Sequence, residues 1–296
     1  MQIDDSGEKG DVEDRRGFST NAKIGGGIAA VVIGLIGTYV GINPAILQQL
    51  VGGAGGQQQQ EGPPPADGYL EFSQKLLGNI NTVWRKEFAA NRYGKGYEPP
   101  HMVLFRDAVS TKGCGDNIPS GVGPFYCPSD KTVYLDPTFF KELEKLGGSK
   151  AEFSQAYVVA HEVGHHVQNL IGYNEKADHA KVGRDGFRAE GENAGIRLEL
   201  QADYLAGVWA KHAQDEFKIL ANPREVEDAL RTAKAIGDDL LTKGRVSPEK
   251  FNHGKAEQRY YIFKKGFETG NASKEYLDKF FSPNVKPLEI GPNTGF

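Results

Sequence analysis

The stretch AEFSQAYVVAHEVGHHVQNLIG (residues 151–172) decides how the rest of the chain is read. Its apolar positions recur at helical spacing and it closes on glycine, so it predicts one helix stopping near Gly172. Ser149 and Glu152 stand three apart at its start, the spacing of a capping box. Three histidines and a glutamate sit in the middle of this apolar helix, and burying them costs several kcal/mol unless something compensates. His161 and His165 are four apart, so both imidazoles project from one face and can reach a single ion. Glu162 is rotated about 100° from His161, where it can approach a water beside that ion without ligating it. HEVGH is thus an H-E-x-x-H pattern, the spacing of a zinc site.

Two imidazoles do not complete such a site, so a third ligand has to come from elsewhere. The metzincin continuation, H-x-x-G-x-x-H, does not follow the motif. Instead IRLELQADYLAGVWAKHA (196–213) carries Glu199 and Asp203 one helical turn apart. Acidic pairs on helices usually face solvent, but these two stand among Ile196, Leu198, Leu200, Ala202, Tyr204 and Leu205. The expectation is that Glu199 coordinates the metal and that Asp203 accepts a hydrogen bond from the far nitrogen of His161, fixing its tautomer.

The setting has to agree with this chemistry. A net charge of −4 over 296 residues, with no Lys/Arg cluster, argues against nucleic acid as a partner. Ile24–Ile42 contains no charge and would span roughly 28 Å as a helix, so it predicts a transmembrane anchor. A cleaved signal peptide is the competing reading, but the run is longer than a signal core and lacks a clear small-x-small site. Arg15, Arg16 and Lys23 precede the run and residues 43–60 carry no charge, so the positive-inside rule leaves the N-terminus cytoplasmic. The expected layout is a cytoplasmic tail (1–23), a single-pass anchor (24–42), a Gly/Gln/Pro linker (43–68), an extracytoplasmic domain (69–285) and a C-terminal tail (286–296). In that compartment Cys114 and Cys127 are expected to pair as a disulfide, since no CxxC spacing favours metal-binding thiols.

Apolar spacing predicts a helix from Tyr69 to near Gly94, and further helices over about 190–214, 223–241 and 255–269. HMVLFRD (101–107) and TVYLDP (132–137) read as short strands, the second a candidate edge along which a peptide could lie. The fold class is α+β, mainly helical with a small β-sheet. His101, His166, His179 and His212 lack partner spacing and read as packing or surface residues.

H-E-x-x-H followed by E-x-x-x-D resembles the gluzincin group. The blocks VEDRR, GPFYCPSDKTVYLDPTFF, VVAHEVGHHVQNLIG, LELQADYLAGVWA, AIGDD and FNHGKAEQRYYIFKKGFETG are similar to the bacterial membrane-anchored neutral zinc metallopeptidases. The resemblance implies a zincin-like domain, a zinc cofactor and hydrolysis of peptide or protein substrates, with Glu162 as general base to a zinc-activated water. The oxyanion needs a further donor, for which His253 is the candidate and Arg259 a second. A catalytically silent, zinc-stabilised interaction module is the alternative, in which Glu162 would be dispensable. The residues after Gly270 match no block, and the oligomeric state is left open.

Overall fold

The computed structural model describes residues 1, 3, 7–19, 60–61, 63–91, 93–219, 224–242, 245 and 247–296. The strands are β1 (Val12–Asp14), β2 (Phe18–Ser19), β3 (Gln60–Glu61), β4 (His101–Leu104), β5 (Ala108–Val109), β6 (Ile118–Pro119), β7 (Phe125–Cys127) and β8 (Thr132–Leu135). The helices are α1 (Tyr69–Asn91), α2 (Phe139–Lys145), α3 (Glu152–Ile171), α4 (Tyr173–Val182), α5 (Ala194–Phe217), α6 (Arg224–Ala235), α7 (Asp238–Leu241), α8 (Ala256–Thr269) and α9 (Lys274–Asp278). The class is α+β, as the sequence suggests.

Four of these strands form one sheet in the order β1-β4-β8-β7, with β1, β4 and β8 parallel and β7 antiparallel, while β2–β3 and β5–β6 form separate two-stranded pairs. Successive residues of a strand point to opposite faces, and here both faces are covered. Met102, Leu104, Val133, Leu135 and Tyr126 join the large core formed with α1, α3 and α5. Val103, Phe125, Cys127 and Tyr134 turn the other way and meet Val109, Ile118 and Val122 of the β5–β6 region. This explains why the strands read as nearly unbroken apolar runs. Cys114 and Cys127 form a disulfide, with Cα atoms 5.9 Å apart, that ties the exposed 110–117 loop to β7.

Four expectations change. TVYLDP is not an edge, because β8 lies between β4 and β7 with neighbours on both sides; the antiparallel edge strand is β7. The expected 223–241 helix breaks at Gly237, whose extended backbone passes so close to α8 that a Cβ would lie 2.4 Å from the Ala256 nitrogen. No capping box starts α3: its N-cap is Ala151, and the Ser149 hydroxyl instead accepts the Ala151 N–H at 3.1 Å. Residues 286–296 are not a loose tail, since Ile290 and Phe296 are buried and Gln258 Nε2 donates to the Pro287 and Ile290 carbonyls.

The N-terminal boundary changes most. Val12–Asp14, expected in a separate cytoplasmic tail, forms a strand of the domain's own sheet. The reason is local chemistry: Arg16 is buried between Asp14 and Asp67 at 2.6 and 2.7 Å, and the Met102 N–H donates to the Asp11 carbonyl. Among the described residues no helix is long and apolar enough to cross a membrane. Ile24–Ile42, the expected anchor, lies outside the described residues.

Candidate metal site

The site rests on the crossing of α3 and α5. Gly164, inside HEVGH, sits against Ala202, where a Cβ would come within 3.0 Å of the Ala202 carbonyl oxygen. A side chain there would push the helices apart, so the glycine lets the Glu199–Asp203 turn approach the histidines. On the far side of α5, a Cβ on Gly207 would fall 2.2 Å from the Phe263 carbonyl, and one on Gly266 would fall 2.1 Å from that of Tyr204. These close crossings seat α8, and with it Arg259, against the same turn of α5.

His161, His165 and Glu199 come together, each offering one ligand atom, with all three atoms within 4.8 Å of one another. His161 Nε2 lies 3.3 Å from one Glu199 oxygen and His165 Nε2 lies 3.4 Å from the other. All three residues are buried, and a shared cation would offset their desolvation. Two imidazoles and one carboxylate are the protein donors of a zinc site that keeps a fourth position open, and the residues present fit that ion.

The outward nitrogens are held differently. His161 Nδ1 donates to Asp203 Oδ1 at 2.8 Å, as the spacing suggested, and the same oxygen accepts the Tyr157 hydroxyl at 2.6 Å. His165 Nδ1 is held at 2.9 Å by Gln168 Oε1. The Gln168 amide in turn donates to the Leu198 carbonyl at 2.7 Å and to Gln201 at 3.1 Å, and Gln201 donates to the Leu277 carbonyl. Sequence reading missed Gln168, although it lies on the same face as His165 one turn later.

Arg259 changes role. Its guanidinium donates to both Asp203 oxygens at 2.8 and 2.9 Å, and to the Tyr157 hydroxyl and the Ile236 carbonyl at 3.4 Å. At 1% exposure it is an internal partner of Asp203 rather than a donor facing substrate. His253 is buried, with Nδ1 held by Asp238 Oδ1 at 2.9 Å. The other Asp238 oxygen accepts the backbone N–H groups of Asn252, His253 and Gly254. Asp238 therefore shapes the whole FNHG loop. It belongs to the AIGDD block, but nothing in spacing alone assigns it this task. His166 points away from the site; Tyr126 and the Glu98 carbonyl hold its two nitrogens at 2.9 and 2.6 Å.

The electrostatics separate the groups. Burial pushes Glu162 up to about 7, opposed by His161 and by a hydrogen bond from the Tyr126 backbone. Burial works to lower His161, but the Asp203 charge and hydrogen bond overcome it and raise the imidazole to about 10. His165 Nδ1 is held by the Gln168 amide, and burial lowers the imidazole to about 4 despite the opposing pull of Glu199. Glu199 stays well below the ordinary range: burial raises it, and the two histidines, with His253, outweigh that. Two carboxylates around one ligand set make a place built for positive charge.

An H-E-x-x-H helix crossed by an E-x-x-x-D helix beside a mixed sheet makes a buried His/His/Glu site able to hold a metal ion. The chain belongs to the family described as "Putative neutral zinc metallopeptidase", which it matches over residues 1–276. The family's cofactor is zinc, and His161, His165 and Glu199 form a group able to hold it. The chain is 37% identical over 280 residues to the uncharacterized protein YpfJ of Escherichia coli K12, covering 90% of this chain and 95% of that protein. It is 42% identical over 205 residues to the uncharacterized protein Mb2605 of Mycobacterium bovis, covering 65% of each. No solved structure matches it.

Proposed function

We propose that the protein is a zinc-dependent peptidase in which Glu162 is the general base. The observation that carries this reading is the facing of both imidazole Nε2 atoms onto the two oxygens of Glu199, with buried Glu162 on the same turn of helix. When bound, zinc supplies a Lewis acid for the scissile carbonyl and acidifies the attacking water. Glu162, buried on the ligand-bearing helix, would take a proton from that water and return it to the leaving amine. His253, oriented by Asp238, is placed to donate from Nε2 to the developing oxyanion. The Tyr126 backbone contact puts Glu162 beside edge strand β7, so a peptide added along β7 would pass the base. The Cys114–Cys127 bond supports action in an oxidising compartment.

Glu162→Gln is the test. The variant should keep one equivalent of zinc and lose hydrolysis of a peptide library by about 10²-fold or more, the size of a general-base contribution. Retained cleavage would refute the assignment, and lost zinc would move Glu162 among the ligands.

A further inference from the structure

The N-terminal residues are woven into the domain on both sides of the undescribed stretch. Val12, Glu13 and Asp14 pair in parallel with Met102, Val103 and Leu104, flanked by backbone bonds from Met102 to Asp11 and from Arg15 to Leu104. Before the strand the chain runs directly over α1: a Cβ on Gly78 would lie 1.7 Å from the Glu8 carbonyl oxygen, and the Gly10 N–H donates to the Gln74 carbonyl at 2.8 Å. Asp11 and Glu13 lie 2.9 and 3.6 Å from the His101 ring. After the strand, Phe18–Ser19 pairs antiparallel with Gln60–Glu61. Whatever path residues 20–59 take, their two ends therefore stand side by side.

Distance decides what this means. Paired strands lie about 5 Å apart, whereas the hydrocarbon core of a bilayer is about 30 Å thick. One crossing between Ser19 and Gln60 would place β1 and β4 on opposite sides of a barrier about six times wider than their hydrogen bonds can span. The flanking arginines that suggest a cytoplasmic tail are also engaged within the fold, Arg15 by Glu13 and Arg16 by Asp14 and Asp67.

We propose that the N-terminal strand and the metal-site domain share one aqueous compartment, so that Ile24–Ile42 does not divide them as a single-pass anchor. This inference stands on strand pairing alone and is independent of the peptidase reading.

Thiol labelling of the full chain in intact bacterial cells tests it. The chain has two cysteines, both in the disulfide, so an added cysteine reports separately once the labelled peptide is mapped by mass spectrometry. Gly7→Cys meets nothing within 4 Å, and Val182→Cys sits at a site 57% exposed, so neither should perturb folding. With a membrane-impermeant maleimide, both positions should label to the same extent before permeabilisation, or both should label only after it. One position labelled while the other stays protected would overturn the proposal. Glu8→Cys with Arg85→Cys gives a second measurement, because these side chains meet at 2.5 Å. A short bismaleimide should join them in intact cells or, where the labelling shows both to be inside, after permeabilisation. Failure to join two accessible cysteines would also overturn it.

Discussion

The two histidines of HEVGH occupy neighbouring turns of one helix, yet their surroundings are opposites. Behind His161 stand a carboxylate and a guanidinium, Asp203 and Arg259, with the Tyr157 hydroxyl between. Behind His165 stands a chain of neutral amides, Gln168 and Gln201, ending on the Leu277 carbonyl. The first imidazole is biased towards positive charge and the second away from it, with pKa values of about 10 and about 4. Identical side chains equally buried can thus differ in basicity because of the group behind each ring. The charged side ties the site to α8, and the neutral side ties it to the segment around α9.

Breaking the charged side should have the larger effect. Asp203→Leu would leave Arg259 buried without its partner and is expected to cost about 3–5 kcal/mol in chemical denaturation. Asp203→Asn keeps the shape and should weaken zinc about 10–100-fold in competition with a chromophoric chelator. Equal zinc affinity in that variant would show that the carboxylate does not tune His161. On the neutral side, Gln168→Leu removes the acceptor at His165 Nδ1 and the donor to Gln201 Oε1 and should cost about 1–3 kcal/mol. Its zinc affinity should fall less than that of Asp203→Asn, because no charge behind a ligand is removed; the reverse ranking would discard the comparison.

The smallest effect concerns a third histidine whose backing resembles that of His161. Burial lowers His253, and the Asp238 charge and hydrogen bond more than offset it, leaving the imidazole above its ordinary value. An imidazolium that donates to an oxyanion is lost as pH rises through that value. Removing the Asp238 charge lowers it, so Asp238→Asn should move the alkaline limb of the kcat/KM profile to lower pH, with zinc content unchanged. An unmoved limb would exclude His253 as the group titrating there.

Much of the site was legible because helical spacing is a local property. His161, His165 and Glu162 follow from a four-residue period, and Glu199 and Asp203 repeat that period within an apolar run. Gln168 was also within reach, three residues after His165, but a glutamine on a helix has no chemistry that singles it out. Asp238 and Arg259 were not legible in their roles. An aspartate that gathers three backbone N–H groups and a histidine looks in sequence like any acidic residue at a helix start. Arg259 read only as a second oxyanion candidate after His253; its burial against Asp203 depends on how closely α8 crosses α5.

The sequence alone determined the α+β class, the ligand-bearing helices and the cysteine pair, since each is written in residue type and short-range period. Tertiary structure alone decided that β7 and not β8 is an edge strand, that α8 faces inward onto Asp203, and that a three-residue strand near the N-terminus forms the opposite edge of the sheet. The physical reason is common to all three. A strand or helix announces its own repeat, but which neighbour satisfies its backbone and its charges depends on chain segments dozens of residues away, and no local pattern records that choice.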